Sequence, residues 1–322
     1  MSSEGSTASE DRRRSFALVA HAVLELYGQR RFGEALQVAD QAVSPFLDFS
    51  ARTTWFRACL LCRLGKPDEA LRALESGVEK GEWWSEGMLR TDADLEPLWG
   101  RAEFERLIAR STALGARANE ISLPELNVIE PETGRAPLPL LIALHGAGGL
   151  PGVGEHWELA SGHGWLVALA RSSRLIMTGA PVWNDLPRAR TELRAHHEAL
   201  AARYQIDPIR TVLAGFSQGA RVAVELGLEG EVGSTGLIAV APWFHDLDQV
   251  MRHAGARRPH PRVYLFMGQK DPGLENVRSA YAALQRANLP CTMDEGADVG
   301  HAFPSDTEGM LRSALTFVTA QS

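Results

Sequence analysis

Five residues, Gly-Phe-Ser-Gln-Gly at positions 215–219, constrain the fold of this chain more than any other segment. An apolar run at residues 210–214 precedes them, and a helix-compatible stretch at residues 220–226 follows. This order predicts a strand, a tight turn and a helix, an arrangement that lifts the Ser217 hydroxyl clear of a sheet. The two glycines remove the Cβ atoms that would clash in such a turn. The backbone N–H of Gln218, at the start of the helix, is then placed to face an oxyanion.

The size and composition of the chain limit the classes of protein it can belong to. Its 322 residues are enough for one large α/β domain and a smaller one. Hydrophobic residues make up 45% and charged residues 23%, as in ordinary soluble globular proteins. The net charge of −7 argues against a nucleic-acid partner. Residues 1–14 are polar without an apolar core, so we expect disorder rather than a secretory signal. No apolar stretch is long enough to span a bilayer.

The three cysteines, Cys59, Cys62 and Cys291, are too few for a disulfide framework. This usage is typical of a reducing compartment, and we therefore expect a cytoplasmic protein. Cys59 and Cys62 form a C-x-x-C pattern, but they lie in an apolar helical run and no second pair of ligands accompanies them. The pattern favours cysteines that pack on one helix face over a metal or redox site.

Two regions of the chain differ in their hydrophobic pattern. Across residues 15–117 the apolar side chains recur every three or four positions, which predicts one helix after another. From residue 118 onward strands alternate with helices, which predicts a mostly parallel central sheet with crossover helices. We therefore expect a small all-α domain followed by an α/β domain. The expected strands are 121–129, 139–144, 175–178, 211–214, 236–241, 263–267 and 291–294, and clear helices are expected at 191–204 and 276–287.

The helical region contains an internal repeat. Arg-Phe-Gly-Glu-Ala-Leu at 31–36 is matched by Lys-Pro-Asp-Glu-Ala-Leu at 66–71, and a helix is predicted before each copy. This pattern resembles the tetratricopeptide repeat family, and a helix at 101–114 would close the stack. The resemblance implies a surface that binds a protein or peptide partner. The alternative is that the helices serve within the protein, as a lid or as a dimer contact.

A serine nucleophile requires a base within hydrogen-bonding reach and an acid that orients the base. His301 follows the last expected strand, and Asp271 follows the strand at 263–267. Loops after parallel strands meet at the carboxyl edge of a sheet, so we predict that Ser217, Asp271 and His301 come together there. Asp294 and Asp298 are rival acids, although both lie near His301 along the chain.

A glycine-rich segment, Leu-His-Gly-Ala-Gly-Gly at 144–149, follows another expected strand. We predict that the backbone N–H of Ala147, with Gly148 as the next candidate, joins that of Gln218 in an oxyanion hole. His145 is interpreted as a residue that orders this turn. The alternative is a flexible surface loop, whereas phosphate binding is disfavoured because no lysine–serine pair follows the glycines.

With these motifs in place, residues 121–320 resemble the phospholipase/carboxylesterase family of α/β-hydrolases, which includes the acyl-protein thioesterases. The resemblance rests on the segments already described and on Tyr-Gln-Ile-Asp-Pro at 204–208. It implies an α/β-hydrolase fold and a Ser-Asp-His esterase that uses neither a metal nor an organic cofactor. The chain departs from the family at Arg221, where the family usually has a small residue, and at Pro272-Gly273-Leu274, which lacks the expected valine–proline.

The predicted activity is therefore hydrolysis of a small-molecule carboxylic ester or thioester through an acyl-enzyme on Ser217. Four aromatic residues in loops after strands are candidates for lining the acyl pocket, with a core or lid role as the alternative: Trp183, Trp243, Phe244 and Phe303. Two other functions remain open at this point. The chain could be a non-catalytic scaffold that recruits a partner through its helical repeats, or a serine peptidase with the same three residues.

Overall fold

The computed structural model describes residues 3–131, 133–149, 153–254 and 259–320. These residues form two compact units. The first unit contains the described residues up to Ser122 together with the segment Arg174–Pro181, and the second contains the remainder. Within the described residues, no helix combines the length and the apolar character that crossing a membrane requires.

The first unit is built from helices whose apolar sides pack on one another. The structure confirms the helix-rich character that the three- and four-residue spacing predicts. Two short 3₁₀ helices, Leu47–Phe49 and Ala93–Leu98, interrupt the series. Its α-helices are α1 (Ser3–Gly28), α2 (Phe32–Ala42), α3 (Ser50–Arg63), α4 (Pro67–Glu79), α5 (Glu86–Thr91) and α6 (Ala102–Ile121).

The N-terminal segment corrects one expectation. Residues 3–14, which we expected to be disordered, belong to α1, and residues 1–2 lie outside the described part of the chain. Once the buried face that begins at Phe16 has nucleated a helix, each further residue adds a backbone hydrogen bond at little cost. An ion pair of 3.3 Å between Arg12 and Asp48 also connects this segment to the rest of the unit.

The two copies of the repeat begin α2 and α4. Ala35 and Ala70 occupy equivalent positions in them, and both side chains are fully buried. A methyl group at these positions lets neighbouring helices approach closely, as the repeated Glu-Ala-Leu pattern predicts. The helix–turn–helix arrangement is thus present, whereas membership of the tetratricopeptide repeat family stays a prediction.

The second unit contains a seven-stranded sheet with helices between its strands. The strand order is β1-β3-β2-β6-β7-β8-β9, and all neighbours are parallel except β1, which runs antiparallel to β3. The strands are β1 (Glu125–Ile129), β2 (Leu138–Leu144), β3 (Leu166–Arg171), β6 (Ile206–Phe216), β7 (Gly236–Val240), β8 (Arg262–Gly268) and β9 (Cys291–Gly296). The helices are α7 (Val153–Glu158), α8 (Leu186–Arg203), α9 (Gln218–Glu229), α10 (Leu247–Ala254), α11 (Leu274–Arg286) and α12 (Thr307–Val318).

The predicted mostly parallel sheet is confirmed, but three of its strands need correction. The strand expected at 121–129 begins only at Glu125, because Ile121 is the last residue of α6. The expected strand at 175–178 is not in this sheet, because β4 (Leu175–Met177) pairs with β5 (Ala180–Pro181) in a separate hairpin. The prediction missed β3, although Gly162 and Gly164 before its short apolar run and two serines after it are turn signals that favour a strand over a buried helix.

The β4–β5 hairpin belongs to the first unit. Residues 83–85 form backbone hydrogen bonds with this hairpin, as a third strand would. The N–H of Ser85, for example, donates to the carbonyl of Ile176 at 2.8 Å. The buried side chain of Asn119 accepts from the N–H of Leu175 and donates to its carbonyl. Met177 is buried within the apolar core of this unit.

Ser111 provides a test of the first unit's packing. This buried hydroxyl accepts from the N–H of Trp84 at 2.7 Å and donates to its carbonyl at 2.6 Å. In Ser111→Ala both groups lose their partner in the core, and we expect the free energy of unfolding to fall by about 3 kcal/mol. Urea denaturation followed by tryptophan fluorescence measures this change. The exposed Ser44→Ala is the control, and equal effects of the two substitutions would contradict the prediction.

Candidate active site

Ser217 lies on a strained turn between β6 and α9. Its backbone angles are φ 54° and ψ −117°, a conformation that residues with a side chain rarely adopt. The N–H of Ser217 donates to the carbonyl of Val240 at 2.8 Å, which fixes the turn against β7. A Cβ on Gly215 would lie 2.3 Å from the carbonyl carbon of Gly219, and one on Gly219 would lie 2.4 Å from the carbonyl oxygen of His145. Both positions therefore require glycine.

The structure brings the three predicted residues into one hydrogen-bonded chain. Nδ1 of His301 lies 2.6 Å from Oδ2 of Asp271, and Nε2 lies 2.9 Å from Oγ of Ser217. In the neutral ring, Nδ1–H donates to the carboxylate and Nε2 accepts from the serine hydroxyl. Asp271 is almost fully buried and its other oxygen accepts from the N–H of Gly273 at 2.7 Å. This arrangement can remove a proton from Ser217 as its oxygen attacks.

The loops that carry Asp271 and His301 are held together by backbone bonds that extend the pairing of β8 and β9. Gln269 N–H donates to Gly296 and Lys270 N–H donates to Val299, at 2.9 and 2.8 Å. Gly268, at the end of β8, makes this approach possible. A Cβ there would lie 2.3 Å from the carbonyl oxygens of Val299 and Gly300. Sequence reasoning did not single out Gly268, although a glycine between a strand and an acid is a visible signal.

Neither rival acid takes the place of Asp271. Asp294 accepts a hydrogen bond from the hydroxyl of Tyr264 at 2.6 Å. Asp298 is exposed and pairs with Lys270 at 3.0 Å. Among the described residues, the carboxylate that contacts His301 is therefore that of Asp271.

The glycine-rich segment after β2 reaches the serine turn. A Cβ on Gly146 would lie 3.5 Å from that of Ser217. The segment turns back sharply, with Gly149 N–H donating to the carbonyl of Gly146 and positive φ at Gly148 and Gly149. Ala147 is exposed at the tip of this turn.

Two backbone donors beside the serine remain available for a ligand. No protein acceptor contacts the N–H of Ala147 or of Gln218 in the described part of the chain. The N–H of Gln218 is the first of α9, where helical N–H groups have no acceptor within the helix. Both predicted donors therefore lack a protein acceptor among the described residues, and their role as an oxyanion hole stays a prediction.

His145 orders the turn, as its sequence position predicts. Ser172 N–H donates to its Nε2 at 3.2 Å, so that Nδ1 carries the proton and donates to the carbonyl of Gly146 at 2.7 Å. Burial, helped by the positive charge of Arg171, lowers the pKa of His145 to about 4, against the opposing effect of the Gly146 bond. The ring is therefore neutral at neutral pH, and it stacks on Trp183 with centroids 5.0 Å apart.

The four aromatic candidates for the acyl pocket differ in exposure. Trp243 is 47% exposed, and its ring packs near Gly273 in the turn after Asp271. Phe303 is 9% exposed and packs on Phe216, whose ring lies 5.1 Å from that of His301. Trp183 and Phe244 are 1% and 2% exposed, so neither side chain is accessible to a substrate in this conformation. The prediction that Trp183 lines the pocket is therefore wrong, because its ring is covered by His145 and the core.

One group of potential metal ligands lies in the first unit. Ligand atoms of Cys59, Asp92 and Asp94 lie within 4.8 Å of one another. Each has a protein partner, since Asp94 accepts from the Tyr27 hydroxyl and pairs with Arg63, and the Cys59 thiol donates to Asp92. Burial raises the pKa of Cys59, which keeps the thiol protonated and disfavours metal ligation.

Comparisons with known proteins bear on the fold and on the reaction class. The second unit has the fold of an α/β-hydrolase. Residues 189–322 match the model of the phospholipase/carboxylesterase family, and residues 16–119 match that of the N-terminal domain of A/B hydrolase-like proteins. The C-terminal part of the chain is therefore similar to the phospholipase/carboxylesterase family, which supports a hydrolase. A search of curated proteins found no significant match.

Solved structures are similar to this chain at low sequence identity. An uncharacterized protein from Bacillus cereus ATCC 10987 is 22% identical, with a TM-score of 0.53 over 94% of this chain and 97% of its own. A carboxylesterase from Bacillus cereus is 19% identical, with a TM-score of 0.47 over 63% of this chain and 99% of its own. Acyl-protein thioesterase 2 from Zea mays is 15% identical, with a TM-score of 0.47 over 61% and 99%.

Gly268→Ala tests whether the close approach of the end of β8 to the loop that carries His301 determines the geometry of the site. The new Cβ would displace the carbonyls of Val299 and Gly300, and His301 with them, so we expect ester hydrolysis to fall by about 10²-fold. Gly300→Ala is the matched control, because a Cβ there meets no atom within 4 Å although it adjoins His301. Steady-state kinetics on a p-nitrophenyl ester measure both variants. Similar losses in the two would show that the contact at Gly268 is unimportant.

The lowered pKa of His145 predicts a pH dependence. Between pH 6.5 and about 4 the unfolded chain binds a proton at this residue and the folded protein does not. Its contribution to stability is therefore complete above pH 6.5 and is lost as the pH falls towards 4. We expect an imidazole NMR titration, assigned with His145→Gln, to give a midpoint near 4. A midpoint near the ordinary value of 6.5 would contradict this result.

Proposed function

We propose that this protein is a serine hydrolase that cleaves carboxylic esters or thioesters through an acyl-enzyme on Ser217. The observation that carries the proposal is the hydrogen-bonded chain from Asp271 through His301 to the Ser217 hydroxyl. The match to the phospholipase/carboxylesterase family supports the same reaction class. The three residues are those required for a nucleophile, its base and the acid that orients the base.

The reaction has two symmetrical steps. Oγ of Ser217 attacks the acyl carbonyl carbon while Nε2 of His301 takes the hydroxyl proton, and the imidazolium is stabilised by Asp271. The tetrahedral intermediate collapses, and the alcohol or thiol leaves with the proton from Nε2. Water then attacks the acyl-enzyme, giving its proton to Nε2, and the carboxylic acid leaves as Oγ regains that proton.

The negative charge that develops on the carbonyl oxygen needs fixed donors. We assign this role to the N–H groups of Ala147 and Gln218, which lie on the two segments that contact each other beside Ser217. One such donor typically lowers the barrier by about 3 kcal/mol. The position of Gln218 at the start of α9 adds the favourable end of the helix dipole.

The surroundings of the serine favour an uncharged acyl group. Phe303 stacks on Phe216 and on His156, with centroids 5.3 and 4.2 Å apart. Burial lowers the pKa of His156, so its ring is neutral at neutral pH. The exposed Trp243 offers apolar surface on the side of Asp271. We therefore propose Phe303 and Trp243 as contacts for the substrate.

The role of the helical region remains a proposal. We propose that residues 15–117 and 118–322 form separate domains, except that the segment Arg174–Pro181 packs with the first. The first domain presents exposed apolar side chains at Leu18, Leu24 and Leu47. A protein partner or self-association through these helices stays a prediction, as does a cytoplasmic location. Analytical ultracentrifugation of the full chain would detect self-association.

Fluorophosphonate labelling tests the proposed chemistry. We expect the wild-type protein to be labelled at Ser217 and Ser217→Ala to lose both the label and at least about 10⁴-fold in kcat/KM on p-nitrophenyl esters. Asp271→Asn is expected to lose about 10³-fold or more, because the imidazole is no longer held in the productive tautomer. Asp298→Asn, which changes the exposed rival acid, is the matched control and should retain wild-type activity.

The same experiment separates the alternatives. A wild-type protein that takes no label and hydrolyses no ester would support the scaffold hypothesis and overturn the enzyme. Labelling with faster cleavage of peptide anilides than of esters would support a peptidase. A panel of p-nitrophenyl esters of increasing chain length then defines the acyl group.

A further inference from the structure

The backbone of Trp183 is held by two side chains from the first turn of α9. Its N–H donates to Oε1 of Gln218 at 2.7 Å. Its carbonyl lies 3.4 Å from Nη2 of Arg221, at the long end of hydrogen-bonding distance. The helix that begins directly after Ser217 therefore fixes the backbone of Trp183, and Trp183 in turn fixes the side chain of Gln218.

The side chain of Trp183 contacts the other half of the proposed oxyanion hole. Its ring stacks on His145, the residue that precedes the turn at 146–149. The His145 ring is itself held by Ser172 and by the carbonyl of Gly146. Trp183 thus touches both segments that carry the proposed donors, Ala147 on one and Gln218 on the other.

Arg221 is held in place by a buried ion pair. Its Nη1 lies 2.8 Å from Oε2 of Glu225, one turn further along α9, and the two side chains are 16% and 6% exposed. Burying such a pair has a large desolvation cost, and its net contribution to stability is often small. The pair does hold the guanidinium in one orientation, with a donor directed at the Trp183 carbonyl.

Trp183 also has a feature that stability alone does not explain. Its indole N–H is buried and has no hydrogen-bond partner among the described residues. An unpaired buried donor typically costs about 1–3 kcal/mol. Unpaired buried donors are expected at residues whose role lies in a functional site rather than in the stability of the core.

We propose that Trp183, held by Gln218 and by the Arg221–Glu225 pair, is a positioning residue that sets the spacing of the two oxyanion donors. The inference rests on the proposed function, since it assigns a role only if Ser217 forms a tetrahedral intermediate. Oxyanion donors bind the transition state more strongly than the ester carbonyl, so a small change in their spacing lowers kcat and leaves KM almost unchanged.

The double variant Arg221→Met/Glu225→Gln tests the proposal. It removes the guanidinium without leaving a buried carboxylate unpaired, and it leaves Ser217, His301 and Asp271 unchanged. We expect kcat on a p-nitrophenyl ester to fall by about 10- to 100-fold while KM changes by less than about twofold. The affinity for a trifluoromethyl ketone, which mimics the tetrahedral intermediate, should fall by the same factor as kcat/KM.

A matched control lies at the other end of the same helix. Arg190, on α8, forms an ion pair with Glu229 in the last turn of α9, and the two side chains are 30% and 16% exposed. Arg190→Met/Glu229→Gln removes this pair far from the first turn of α9, and Glu231, which Arg190 also contacts, keeps its two hydrogen bonds from Arg194. We expect a comparable loss of thermal stability and unchanged kcat, which separates positioning from a general weakening of the helix.

Substitutions at Trp183 provide an independent measurement. Trp183→Phe keeps the aromatic stack and removes the unpaired N–H, so we expect nearly wild-type kcat and unchanged or higher thermal stability. Trp183→Ala loses the stack on His145 and should lower kcat about as much as the double variant. If the double variant does not fold, Arg221→Lys keeps the charge without the planar fork and should show a smaller fall in kcat.

Three outcomes would overturn the proposal. They are wild-type kcat in the double variant and in Trp183→Ala, a rise in KM at constant kcat, or equal loss of kcat in the Arg190 control. Each of these requires a wild-type enzyme that hydrolyses esters. Absence of hydrolysis and of fluorophosphonate labelling in the wild type would instead overturn the proposed function.

Discussion

The site depends on the close approach of backbone segments at the carboxyl edge of the parallel sheet. A side-chain carbon at Gly215, Gly219 or Gly268 would overlap backbone atoms of the neighbouring segment. Because these three positions have no Cβ, the serine turn can lie against the end of β2, and the loop after β8 can bond to the loop after β9. The short distances within the Ser217–His301–Asp271 chain follow from this packing of main chain on main chain.

The sequence predicted the parts of the fold that local signals specify. Continuous apolar runs followed by glycine, aspartate or histidine marked β2, β6 and β8 and the functional loops at their ends. It failed where tertiary pairing decides the outcome. The run at 175–178 is apolar enough for a central strand but pairs with β5 and with residues 83–85 of the helical unit. The polar start of α1 is likewise helical because a longer amphipathic helix extends through it.

Within the site, too, local sequence signals predicted some residues correctly and failed where tertiary contacts decide. The proposed nucleophile, base and acid were found because each follows a strand in the order that the fold requires. Trp183 was misplaced in the pocket because its environment is set by residues distant in sequence. An aromatic residue in a loop after a strand has the same pattern whether its ring faces a ligand or the core. Arg221 was visible as a departure from the family, but its partners were not.

The position of Arg221 bears on how it acts. A cation in the first turn of a helix opposes the helix dipole. Glu225 offsets this effect, since its carboxylate accepts a hydrogen bond from the guanidinium within the same buried environment. The remaining interaction of Arg221 is the guanidinium N–H that points at the Trp183 carbonyl. We therefore argue that Arg221 acts through the geometry of its donors, because its charge is paired with that of Glu225 one turn along the same helix.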